Sequence, residues 1–139
     1  MQGKIIHELR VGESAERSNA VLLKNAQKYA DITGDNNLIH FDTEEARSSH
    51  YRCPIAHGMI LAGYISGVIG AQLPGTGCIY ETQTLSFLRP VFYGDTITTR
   101  VTVSAINAAR NRVTLRTECL NQNNEIVLTG EAVILPRKE

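Results

Sequence analysis

The chain has little of what marks several protein classes. Its 14 lysines and arginines balance 14 aspartates and glutamates, a formal net charge of zero at pH 7. No block of like charge occurs, which argues against a nucleic-acid binder. Cysteines number only three. Cys53, Cys78 and Cys119 are scattered and lack CxxC spacing, which suits reduced thiols better than a disulfide framework or zinc site. No apolar run reaches the ~18 residues of a membrane span. The opening MQGKIIHELRVGES holds only isolated apolar residues, unlike the apolar centre of a signal peptide. A cytoplasmic protein without metal, nucleic-acid or membrane partners is expected. There is no internal repeat, low-complexity tract or second-domain boundary, so the 139 residues read as one domain, 1–139. That length lets a chain bury about two-thirds of its unfolded surface.

What is present changes character along the chain. The first part reads as helix and loop, with a helix from about Asn19 to Thr33, Ser18 or Asn19 as its cap and Gly34 as its end. Asp42 or Thr43 followed by Glu45 predicts a short helix near Thr43 to Arg47. Between Pro54 and Gln72, IAHGMILAGYISGVIGA is apolar almost all round and too long for a strand, which predicts a helix buried on most sides. Gly58, Gly63, Gly67 and Gly70 each cost about 1 kcal/mol relative to alanine inside a helix, so close packing against neighbours is expected there. From Cys78 onward the pattern is strand-like. DTITTRVTVSAI sets Ile97, Val101 and Val103 on one face and Thr96, Thr98, Arg100 and Thr102 on the other. NRVTLRTECLNQ repeats the alternation, and Asn123-Asn124 suits a turn before EIVLTGEAVILP. The expectation is an α+β domain, an antiparallel sheet curled over one helix. Its unprotected sheet edges predict a homo-oligomer.

Two stretches carry candidate chemistry. In DITGDNNLIH, residues 31–40, Asp35 and His40 lie five residues apart with Asn37 between them. A carboxylate and a neutral imidazole facing one cavity can hold a water between them and move its proton. The same residues also suit a polar turn, with Asp35 capping it and His40 filling a half-buried gap; the spacing leaves both readings open. His57-Gly58-Met59 stands at the start of the apolar helix, where free N–H groups and the helix dipole favour a developing oxyanion. Glycine at 58 would let a carbonyl approach the backbone. His57 suits a structural role better than a catalytic one, and Ser66, two turns on, equally suits close packing. RPVFYGDTI, residues 89–97, reads as a turn into a strand, without chemistry.

Taken together, Tyr29-Ala30-Asp31-Ile32-Thr33-Gly34-Asp35-Asn36-Asn37-Leu38-Ile39-His40, with Ala46 six residues on, closely resembles the signature of the MaoC-like (R)-specific enoyl-CoA hydratases. There a tyrosine or phenylalanine precedes a G-D-x-N-P-x-H core. PIAHGMILAG, QLPGTGCIY, LSFLRPVFYGD and LTGEAVILP resemble later segments of the same family in the same order, from about residue 10 onward. The resemblance implies a hot-dog fold, an antiparallel sheet wrapped around a long central helix, with two protomers side by side. It implies reversible syn addition of water to a trans-2-enoyl-CoA, giving an (R)-3-hydroxyacyl-CoA. By position it implies Asp35 and His40 as the acid–base pair, Gly58 as the oxyanion donor, Asn37 as the motif asparagine and Ser66 as a serine near the carboxylate. No cofactor beyond the CoA of the substrate is implied. Leu38 stands where the family has proline, which leaves the loop less preset.

Two rival activities share these features. An acyl-CoA thioesterase of the same fold also presents a carboxylate and a helix N-terminus to a thioester. A non-catalytic acyl-CoA-binding subunit would need neither Asp35 nor His40. Ile65 and Ile69 on the central helix, and Val133 on the last strand, are candidates to bound an acyl pocket. Arg47, Arg52 and Arg89 are candidate contacts for the CoA phosphates.

Overall fold

The computed structural model describes residues 2–139. Strand β1 (Ser14–Ala20) comes first, where the sequence suggested loop running into a helix from Asn19. SAERSNA carries no apolar alternation, and most of its residues stay exposed. Its conformation comes from its partner: the whole strand pairs antiparallel with β4 (Thr96–Asn107), Ser14 opposite Thr102 and Ala20 opposite Thr96. Ser18 therefore caps no helix, and its hydroxyl meets that of Thr98 across the ladder at 2.9 Å. Helix α1 (Ala26–Thr33) starts later and ends as expected at Gly34, a left-handed C-cap at φ 79° whose N–H donates to the Ala30 carbonyl. Helix α2 (Glu44–Arg47) is the short helix expected there, capped by the Thr43 hydroxyl accepting the Ala46 N–H.

Helix α3 (Met59–Ala71) is the long apolar helix, but it is not buried on most sides. Leu61, Ile65, Val68 and Ile69, at relative positions 0, 4, 7 and 8, form one buried face. Gly63, Ser66, Gly67 and Gly70 lie on the exposed face. A Cβ added at Gly63, Gly67 or Gly70 would meet nothing within 4 Å, so the close packing expected at these glycines does not occur within the chain. Small residues kept the segment's average apolar, while the bulky side chains alone set the buried stripe. Ahead of the helix, Ile55 bridges Phe92 and the Ala56 N–H donates to the Val91 carbonyl at 2.8 Å.

Strands β4, β5 (Arg112–Leu120) and β6 (Ile126–Leu135) form an antiparallel meander, extended at one edge by β1 and at the other by β2 (Ile79–Gln83) and β3 (Ser86–Phe87), both of which pair with β6. The alternation read in β4 holds, with Ile97, Val101 and Val103 buried. Asn124 takes the left-handed conformation at φ 58° in the turn between β5 and β6. Gly130 makes the step from β2 to β3 possible: a Cβ there would lie 1.9 Å from the Thr84 carbonyl oxygen. Val101, Leu115, Leu128 and Ile134 from the concave face join the buried side chains of α3 in one core cluster. The six-stranded antiparallel sheet wraps a single helix, which is the α+β hot-dog fold. Among the described residues no helix is long and apolar enough to cross a membrane.

Candidate active site

The left-handed turn at Gly34 sends the chain after α1 back toward the start of α3. Successive side chains then fix the loop: the Thr33 hydroxyl accepts the Asp35 N–H at 3.2 Å, Asp35 Oδ1 the Asn37 N–H at 3.3 Å, and Asn37 Oδ1 the Ile39 N–H at 3.2 Å. Asn37 thereby caps a 3-10 turn at Leu38–His40. The polar-turn reading of this stretch is thus correct, but it uses only one carboxylate oxygen. Asp35 Oδ2 lies 4.0 Å from His40 Nε2, with the Asp35 side chain 44% exposed and that of His40 11%.

The His40 ring is held from behind. Its Nδ1 lies 2.9 Å from the Ile55 carbonyl oxygen. A carbonyl only accepts, so Nδ1 carries the hydrogen, and in the neutral ring Nε2 presents its lone pair toward Asp35. The Tyr93 hydroxyl donates to the His40 backbone carbonyl at 2.7 Å. Burial pushes the Tyr93 phenol up to about 12, so it remains a donor at neutral pH. Burial also lowers the His40 pKa below the ordinary imidazole value, helped by nearby His57 and opposed by the Ile55 hydrogen bond and the Asp35 carboxylate.

A cavity of about 250 Å³ opens beside this pair, walled by His40, Tyr51, Gly58, Leu61, Phe87 and Leu88 among others. Gly58 ends the lead-in to α3 with helical angles, φ −58° and ψ −38°. Its N–H has no hydrogen-bond partner among the described residues. The Phe87 ring lies over it, 3.1 Å from where a Cβ would stand. His40 and Gly58 thus face one apolar-walled space, and Asp35 reaches it only through His40, 4.0 Å away.

The other residues picked from sequence are placed differently. Ile65 and Ile69 are fully buried core and do not line this cavity. Ser66 sits on the exposed face of α3, about 12 Å along the helix from Gly58. Val133 is half-buried in β6, opposite Thr114. Arg47 is engaged with Asp42 and Glu44, and Arg89 lines the cavity while paired with Glu125 at 3.2 Å. Arg52 is exposed, with φ 57°. Sequence reasoning gave the segment 89–97 no chemistry and so missed Tyr93, whose link to His40 spans 53 positions and leaves no local signal. Phe87 and Tyr51 were missed as cavity walls for the same reason.

Asp35, His40 and His57 bring ligand atoms within 4.8 Å of one another. The two imidazoles lie against each other at a tilt, with centroids 3.9 Å apart and planes inclined by 32°. One nitrogen of each ring is already engaged by a backbone carbonyl, His40 Nδ1 by Ile55 and His57 Nε2 by Asp35.

Residues 9–124 match the family described as MaoC like domain, and the chain belongs to that family. It is 40% identical over 126 residues to an (R)-specific enoyl-CoA hydratase of Aeromonas caviae, covering 91% of this chain and 94% of the relative. It is 38% identical over 133 residues to a 3-hydroxybutyryl-CoA dehydratase of Methylorubrum extorquens, covering 95% and 84%. The unliganded R-hydratase of Pseudomonas aeruginosa superposes with a TM-score of 0.92 at 37% identity, covering 99% of this chain and 88% of that one.

Proposed function

We propose that this chain is an (R)-specific enoyl-CoA hydratase, a hydro-lyase that adds water reversibly and syn across a trans-2-enoyl-CoA. One observation carries the reading: Asp35 Oδ2 and His40 Nε2 stand 4.0 Å apart, and His40 lines the same cavity as Gly58. That separation is too long for a direct hydrogen bond. A single water about 2.8 Å from each atom closes the triangle.

In the proposed reaction the thioester carbonyl accepts the Gly58 N–H at the N-terminus of α3, which draws electron density from the β-carbon. Asp35 Oδ2 orients the water and His40 Nε2 takes its proton as the oxygen bonds to the β-carbon. The C=C electron pair moves into the enolate, and its charge is held at Gly58. The imidazolium then gives that proton to the α-carbon on the same face, and His40 returns to its starting state. The depressed His40 pKa suits this cycle, because the ring is neutral before attack and acidic after it. Tyr51, Leu61, Phe87 and Leu88 form the wall along which the acyl chain lies, and Arg89 stands at the rim for a CoA phosphate. No cofactor beyond the substrate's own CoA enters the scheme.

Self-association through the β2–β3 edge and the open face of α3 is part of the proposal. Ile79, Phe87, Leu88 and Met59 are exposed there beside glycines that leave room for close approach. The three free cysteines fit a cytoplasmic setting. Incubation with a trans-2-enoyl-CoA tests the activity. Loss of the conjugated-thioester absorbance without release of free thiol is expected, and the product is the (R)-3-hydroxy thioester. Thiol release would make the protein a thioesterase, and no reaction would leave it an acyl-CoA binder.

A further inference from the structure

Of the three buried polar side chains among the described residues, His57, Thr99 and Thr117, His57 alone lies beside the proposed acid–base pair, and the reaction gives it no task. His57 is 3% exposed, does not line the cavity of about 250 Å³, and sits directly behind the residues that do. Its ring meets two others at a tilt, Tyr29 of α1 at a centroid distance of 4.5 Å and 45° and His40 at 3.9 Å and 32°. Phe41 meets it edge-on at 6.1 Å. His57 Nε2 lies 3.0 Å from the Asp35 backbone carbonyl, which only accepts, so Nε2 carries a hydrogen and donates it. One side chain thus touches the backbone of the carboxylate residue and the ring of the imidazole residue, and is the chain neighbour of Gly58. An apolar ring would fill the same space without the desolvation that a buried imidazole incurs.

We infer that His57 is a positioning residue for the acid–base pair: its Nε2–H fixes the Asp35 backbone, its ring fixes the plane of His40, and together they set the 4.0 Å separation that admits one water. This inference rests on the hydratase reading above. A carboxylate on a loop after α1 and an imidazole on a 3-10 turn have no direct bond to hold them in register. His57, carried on the lead-in to α3, links both to the rigid element that also supplies Gly58. Displacing such a pair by about 1 Å can reduce turnover about 10²-fold while binding is unaffected.

His57 also bears on how His40 titrates. The groups facing the His40 ring are the Asp35 carboxylate, the Ile55 carbonyl and His57; Tyr93 meets only its backbone, as a neutral donor. Of these, His57 disfavours a positive charge on His40, so its removal raises the pKa of the acid limb.

The test compares wild type, His57→Phe and His57→Gln on a trans-2-enoyl-CoA. Phenylalanine keeps a ring at this position and loses the donor; glutamine can still reach the Asp35 carbonyl. For His57→Phe the expected result is kcat lower by 10- to 100-fold, KM within about threefold, and an acid limb of the rate profile shifted to higher pH. Glutamine, which restores the donor but not the ring, is expected to recover part of kcat while showing the same shift of the acid limb. Turnover near wild type in His57→Phe overturns the inference, as does a loss confined to KM or an equal loss in both variants that follows their melting temperatures. Nitrogen-15 spectra of the wild-type imidazoles provide a readout independent of activity and of whether the variants fold. His57 must carry its hydrogen on Nε2, and an Nδ1–H tautomer overturns the inference. A wild type that hydrates no enoyl thioester refutes the hydratase reading itself, a different failure from an unaffected His57→Phe.

Discussion

Gly58→Ala separates catalysis from stability in a way the structure lets one work out beforehand. The backbone at 58 is already helical, at φ −58° and ψ −38°, so alanine meets no conformational barrier there. Helix propensity favours alanine over glycine by up to about 1 kcal/mol, whereas the preference for glycine over alanine at a helix cap acts the other way by a similar amount. The added Cβ would lie 3.1 Å from two atoms of the Phe87 ring. Ordinary carbon contacts lie at about 3.5–4.0 Å, so the ring must yield by about half an ångström. Phe87 is 51% exposed on a two-residue strand and can do so. Net stability should therefore stay within about 1 kcal/mol of wild type, a melting shift of no more than about 4 °C. The same methyl group stands where the thioester carbonyl must approach the N–H, and losing one such donor costs about 10²–10³ in kcat. Thermal melting beside initial rates on a trans-2-enoyl-CoA reads both quantities. A melting loss above about 8 °C would show that the Phe87 contact is rigid, and undiminished turnover would remove Gly58 from the oxyanion site.

Four further outcomes are expected. Leu38→Pro should raise the melting temperature by about 1–4 °C with little change in rate, since Leu38 opens a 3-10 turn and Asn37 before it has φ −59° and ψ 120°, angles a pre-proline residue accepts; a lower melting temperature contradicts this. Gly130→Ala should destabilise by more than about 2 kcal/mol in chemical denaturation, because its Cβ would meet the Thr84 carbonyl oxygen at 1.9 Å and that partner is backbone. The acid limb of kcat/KM should fall below the ~6.5 of free imidazole, because burial lowers the His40 pKa. The same depression means that the unfolded chain takes up a proton at His40 before the folded one does. Its contribution to stability is therefore present above about pH 6.5 and lost as pH falls toward the folded value, which pH-dependent denaturation of wild type against His40→Ala would reveal.

The sequence showed most where one residue type has one physical use. Gly34 had to end α1 in the left-handed conformation, Thr43 had to cap α2, and the threonine–apolar alternation of β4 had to place Ile97, Val101 and Val103 inward. β1 was invisible because an edge strand of polar residues has no face to bury, and only its pairing with β4 makes it a strand. The environment of α3 was misread because glycine and alanine count as apolar yet cover little surface. Asp35, His40 and Gly58 were legible as a constellation only through the resemblance to the MaoC-like family, since their spacing suited a polar turn as well. What fixes their geometry was not: Tyr93 to His40, Ile55 to His40 and His57 to Asp35 are contacts between elements that only the fold brings together.

The most direct test of the central claim is a double-mutant cycle on hydration of a trans-2-enoyl-CoA, using Asp35→Asn, His40→Ala and the two combined. If the carboxylate and the imidazole act on the same water, each single change lowers kcat by about 10²–10⁴. The double variant should then be within about tenfold of the worse single one, because a pair that works as a unit is lost once. Losses that multiply through to the double variant, or a single variant that keeps wild-type turnover, would contradict it.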